Sequence, residues 1–149
     1  MTLPAGALPP VTDAKSCAEQ CISLEIPVSE LLQIGTNGGI MIVPAQGVGT
    51  VIVPFRIILS MKFQTTPYVF QDYLDLYMQT AMNTFGMHFN ILDSGSNNAG
   101  MVTVIDCDMS SSGKLVENMP LGLIAGNGTN PINGDSTLKV VLYYKVITF

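Results

Sequence analysis

Few side chains in this chain are equipped for chemistry. The one histidine, His88, stands between Met87 and Phe89. Nucleophilic catalysis needs a base of that kind beside a serine or cysteine, and a lone histidine on an apolar stretch reads more simply as a structural residue. Cys17 and Cys21 have no histidine near them in sequence, so they lack zinc-finger spacing and fall short of four ligands unless aspartates join. With Cys107 they make an odd count, a poor disulfide framework. Idle thiols of a reducing compartment are the simpler reading. Asp106 and Asp108 are two apart in an alternating stretch and point to one face of a strand. That pair would suit Ca²⁺ or acid–base work, or it is the wet face of a strand whose other face carries Ile105 and Cys107. The wet face is the preferred reading.

The motif inventory is equally bare. No Gly-x-Ser-x-Gly elbow occurs. Gly113-Lys114-Leu115 lacks the hydroxyl residue of a phosphate loop, and Gly47-Val48-Gly49 lacks the third glycine and the helix of a dinucleotide loop. Asn127-Gly128-Thr129 matches a glycosylation acceptor, which has meaning only in a secreted chain. Tyr68, Tyr73, Tyr77, Tyr143 and Tyr144 would offer stacking surfaces for sugars or bases, without any tryptophan. The expectation is a protein that is not an enzyme and needs no cofactor or metal.

Composition narrows the partners. The 149 residues include six basic and eleven acidic side chains, for a net charge of -5. That balance argues against nucleic acid, which selects a basic footprint. Charged residues are 11% of the chain, against about 25% in ordinary soluble domains. Hydrophobic residues reach 48%, enough to build a core and exclude disorder. Much of the surface is therefore uncharged, and part of it is expected to face a partner. Leu31 to Phe55 is free of charge and long enough for a membrane span. Gly35, Gly38, Gly39, Pro44, Gly47, Gly49 and Pro54 break it into strand-length pieces, so no membrane is expected. Met1 to Gly6 has neither the basic nor the apolar region of a secretory signal.

The elements that would carry these residues are strands. Residues 1–21 read as an extended arm, with Pro4, Pro9 and Pro10 favouring a polyproline-like path. Residues 22–149 read as one domain. Ile22, Leu24, Ile26 and Val28 alternate with polar residues, and Ser29 to Leu32 offers one helical turn. Val51, Val53, Phe55, Ile57, Leu59, Met61 and Phe63 are expected on one core face, with a bulge or sheet edge at Pro54. Leu74 to Met78, a piece from His88 to Leu92, Met101 to Met109 and Leu121 to Ala125 add further strands. In the closing segment, Leu138, Val140, Leu142, Tyr144 and Val146 form one face. Lys139, Val141, Tyr143, Lys145 and Ile147 form a second that is only half polar. No long helical period appears. About eight strands joined by Gly, Pro and Asn turns predict an all-β, antiparallel β-sandwich with a jelly-roll-like topology.

Several short motifs carry a resemblance. They are Ser29-Glu30-Leu31-Leu32, Ile42-Val43-Pro44-Ala45, Val51-Ile52-Val53-Pro54, Gln64-Thr65-Thr66-Pro67-Tyr68 and Gly134-Asp135-Ser136-Thr137-Leu138-Lys139-Val140. In this order, over residues 22–149, the chain resembles small β-sandwich proteins from the structural-gene regions of tailed bacteriophages, some of them capsid decoration, or cement, proteins. Gln64 stands where such proteins often carry glycine. The resemblance implies no catalytic residues. It implies a virion structural protein made in the host cytoplasm and seated on the capsid surface, bound between major capsid protein subunits. A homotrimer is expected from the resemblance together with the half-apolar second face of the last strand. The expected contacts are Leu3, Pro4, Leu8, Pro9, Pro10 and Val11 of the arm, with Val141, Tyr143 and Ile147 of that face. The alternatives are a tail, fibre or collar module, and a jelly-roll carbohydrate-binding module.

Overall fold

The computed structural model of the protein describes residues 18–61, 64–69, 74–78, 85–89, 101–107 and 115–149. The arm residues from Leu3 to Val11, with Cys17, Phe63, Tyr73 and Asp108, lie outside the described residues.

The chain is mostly β. In order the described elements are β1 (Gln20–Ile26), α1 (Val28–Leu31), β2 (Ile40–Val43), β3 (Thr50–Met61), β4 (Leu74–Met78), β5 (Phe85–Phe89), β6 (Met101–Asp106), β7 (Leu121–Ala125) and β8 (Leu138–Thr148). A 3-10 turn spans Gly126–Gly128. The alternating stretches of the sequence became these strands, with small shifts at their ends. β1 begins at Gln20, so Gln20 and Cys21 already pair with Tyr144 and Tyr143. β5 lies a few residues before the piece expected from His88 to Leu92. Pro27 ends β1 and precedes the single turn of α1, whose first amides need no intrahelical partner.

Two four-stranded sheets result, ordered β1-β8-β3-β6 and β2-β7-β4-β5. Among the described residues every strand pairing is antiparallel. Four of the pairings are β1 with β8, β2 with β7, β3 with β6 and β4 with β5. The remaining two, β8 with β3 and β7 with β4, join those pairs into the sheets. One cluster of buried residues draws on both sheets. It takes Leu138, Val140 and Leu142 from β8, Leu74 and Leu76 from β4, and Leu121 and Leu123 from β7. Leu31 of α1 and Ile34 after it close the cluster at one end. Each such side chain, fully buried, contributes about 1.5–3 kcal/mol.

β8 matches its sequence pattern. Leu138, Val140, Leu142, Tyr144 and Val146 are all buried, while Lys139 and Lys145 are exposed. β3 departs from its pattern halfway along. Pro54 is opposite Tyr144 and Arg56 is opposite Tyr143, so Phe55 is an extra residue in the ladder. This bulge sits where the missing amide of Pro54 weakens the pairing. β6 also ends there, with the Cys107 amide bonding to the Phe55 carbonyl at 2.9 Å. The expected bulge and the expected edge thus coincide. Their consequence corrects the face assignment. Ile57, Leu59 and Met61 enter the core after the bulge, but Ile52 and Pro54 point inward before it. Val53 and Phe55 turn to the outer side, and Val51, opposite Ile147, is buried outside the main cluster.

Candidate functional site

Two constructions stand out once the strands are in register. The first is the outer face of the β1-β8-β3-β6 sheet. Side chains alternate across a strand, so those flanking the core residues of β8 share this face. Ser23, Val141, Ile58 and Val104 form one row across the four strands. Glu25, Lys139, Ser60 and Val102 form the row on one side of it, and Cys21, Tyr143, Arg56 and Asp106 the row on the other. Val102 and Val104 are 59% and 56% exposed, and Ile147, further along β8, is 39% exposed. Val141 and Tyr143 are half-buried by their own neighbours.

The polar groups of this face are arranged in pairs. Arg56 Nε donates to Asp106 Oδ1 at 2.7 Å, with both side chains largely in water. An exposed pair of this kind adds little stability, but it fixes the outer end of the row. The Phe55 ring lies 6.1 Å from the Tyr143 ring, tilted by 47°, and Lys145 Nζ sits 5.8 Å over the Phe55 ring. The bulge is therefore what gives the face its aromatic centre. Sequence reasoning put Val141, Tyr143 and Ile147 on a half-apolar face, and the structure brings them to one side of β8. It missed Phe55, Ile58, Val102 and Val104 as their neighbours. The signal for Phe55 was Pro54 itself, since a bulge reverses which residues face in.

The second construction joins two of the sequence motifs. The Asp135 carboxylate accepts hydrogen bonds from the Thr65 amide at 3.1 Å, the Thr66 amide at 3.0 Å and the Thr65 hydroxyl. The Ser136 hydroxyl takes the Gln64 amide at 3.1 Å. The Tyr68 hydroxyl, wholly buried, donates to the Ser136 carbonyl at 2.7 Å. Gly134 has φ of +104°, and a Cβ there would run into the Tyr68 ring. Thr65-Thr66-Pro67-Tyr68 and Gly134-Asp135-Ser136 thus form one clasp. Bonds from the Thr65 hydroxyl and the Thr66 amide hold the Asp135 carboxyl below its ordinary pKa. Burial, reinforced by Asp135, pushes the Tyr68 phenol up to about 12. These are structural bonds, with the Asp135 carboxylate shared between the amides of Thr65 and Thr66 and the Thr65 hydroxyl.

The residues weighed for chemistry are dispersed. Cys107 is buried, and burial next to Asp106 pushes its thiol up to about 11, which disfavours the nucleophilic thiolate at neutral pH. Cys21 is exposed on β1. Asp106 is engaged with Arg56 on the exposed face of β6, while Ile105 and Cys107 turn inward. Among the described residues no three of His, Cys, Asp and Glu gather as metal ligands would. No described helix is long and apolar enough to cross a membrane. None of the protein-family models, curated proteins or solved structures compared with the chain matches it.

Proposed function

We propose that this chain is a jelly-roll sandwich and a virion structural protein, a cement subunit that binds between major capsid protein subunits of a phage head as a trimer. The observation that carries this reading is the pairing of the strands. β1 with β8, β2 with β7, β3 with β6 and β4 with β5 is the set produced when one long antiparallel hairpin rolls up, and alternate pairs then fall in opposite sheets. The fold alone does not select a function. The resemblance of the motif order to phage cement proteins supports this one, and two of those motifs meet in the clasp around Asp135. The low charge and the exposed valines of the outer face suit contact with protein. Many copies on one shell multiply modest contacts through effective concentration.

The test is co-sedimentation of the purified chain with empty phage heads, followed by immuno-gold labelling of virions. Saturable binding to heads and label over the capsid are expected. Label on tails, or glycan-array binding without head binding, overturns the proposal. Light scattering checks the oligomer, and a monomer at micromolar concentration counts against the trimer.

A further inference from the structure

The outer face of the β1-β8-β3-β6 sheet differs from the rest of the molecule in charge. Among the described residues, three carboxylates, Glu19, Glu25 and Asp106, stand there with three cations, Arg56, Lys139 and Lys145, so the face carries 3 - 3 = 0 on a chain whose net charge is -5. This is the side that a second copy approaches without long-range repulsion.

The register also makes the face complementary to itself. We infer that two copies of the chain pack face to face through this sheet, about a twofold axis running along the row Ser23, Val141, Ile58 and Val104. The axis sets Val141, Ile58 and Val104 each against the same residue of the second copy, and it exchanges the two flanking rows. Lys139 then meets the ring of Tyr143, a favourable cation–aromatic contact. Arg56 meets Ser60, and Asp106 meets Val102, so no like charges oppose one another. A twofold axis parallel to the strands would instead set the exposed Val104 on Ser23 and Val102 on Glu25, covering less apolar surface. Face-to-face packing of aligned sheets is a common geometry, and an isologous contact closes on itself.

The size of the face sets the strength. Four strands about 4.8 Å apart, over five residues at about 3.4 Å each, give a footprint on the order of 300 Å². A standard interface takes about 800 Å² from each partner. The pairing is therefore weak in free solution and grows with concentration, as on a shell. It goes beyond the cement reading, because a twofold contact joins copies that a threefold arrangement leaves separate.

Sedimentation equilibrium of the full chain, carried to millimolar concentration, tests it. Even multiples of the 15.9 kDa chain mass are expected: a dimer, or a hexamer where threefold contacts also hold. Val104→Lys sets like charges on the axis at an exposed position of an edge strand, and it halves the assembled mass while leaving the melting curve in place. Val104→Ile keeps the assembly. A monomer at the highest concentration, a trimer, or an even assembly indifferent to Val104→Lys overturns the inference. A chain that seats on heads yet stays monomeric or trimeric sinks the pairing and leaves the cement reading standing. A chain that pairs and ignores heads does the reverse.

Discussion

At the scale of single residues, Asp135 has the largest reach. Its carboxylate binds Thr65 and Thr66, about seventy positions earlier in sequence, and so ties the loop after β3 to the entry of β8. The same few residues bury Tyr68, whose hydroxyl donates to the Ser136 carbonyl inside the core. Gly134 cannot be replaced cheaply, because its positive φ and the ring beside it both exclude a side chain. The sign of the pH dependence follows from the bonds. The folded carboxyl sits below its unfolded value, so its stabilisation is present above about pH 4 and is lost as pH falls through the folded value. Asp135→Asn should lower the melting temperature at neutral pH and flatten its fall below pH 4. Melting followed by circular dichroism from neutral to acid pH checks this. Parallel acid profiles for the two proteins would count against the clasp.

At the scale of elements, the bulge in β3 governs what the sheet presents on each side. One extra residue, Phe55, reverses the alternation, so that Ile52 and Ile57, five apart, both reach the core. Without that extra residue Ile52 and Ile57 would stand four apart, and strict alternation would keep both halves of β3 facing the core. Ile52→Ala empties a core position on the near side of the bulge and should cost about 2–5 kcal/mol. Phe55→Ala keeps the bulge and removes only the exposed-side contacts with Tyr143 and Lys145, so it should cost less than Ile52→Ala. Urea midpoints of the two variants test the order, and equal midpoints would refute it. The same element marks what was legible in the sequence. β8, β4 and β7 could be read directly, because unbroken alternation leaves one register for burial. The bulge was legible through Pro54, but its effect on facing was not, since period-two patterns assume an unbroken ladder. Asp135 and Asn130 were illegible as tethers for a different reason. Asn130 accepts from the amides of Gly35 and Thr36 at 2.9 and 3.0 Å, and such bonds between distant loops leave no periodic trace. On the candidate face, Val141 and Tyr143 were visible as a second apolar stripe of one strand. Ile58 and Val104 joined them only when the register was known.

At the scale of the whole molecule, the low charge has two outlets. The core absorbs one stripe of β8 and both halves of β3, and part of the remaining apolar excess surfaces at Val102, Val104 and Ile147, with Met41, Val48 and Phe149 exposed outside that group. In the N-terminal sequence Leu3, Pro4, Leu8, Pro9, Pro10 and Val11 are apolar but lack the period of an element that packs against a sheet. A pre-extended, proline-rich segment loses little entropy when it lies along another surface or adds to a sheet edge. Where it is cut matters, because Gln20 and Cys21 are already paired with β8. Removing residues 1–17 should therefore leave the melting temperature within a few degrees of the full chain, whereas removing 1–21 should lower it by taking two residues from β1. If the cement reading is right, the shorter truncation weakens binding to phage heads by at least about tenfold, or roughly 1.4 kcal/mol. The measurement is a binding isotherm on empty heads beside a thermal melt for each truncation. Undiminished head binding by the 1–17 truncation would assign seating on the shell to the folded domain alone.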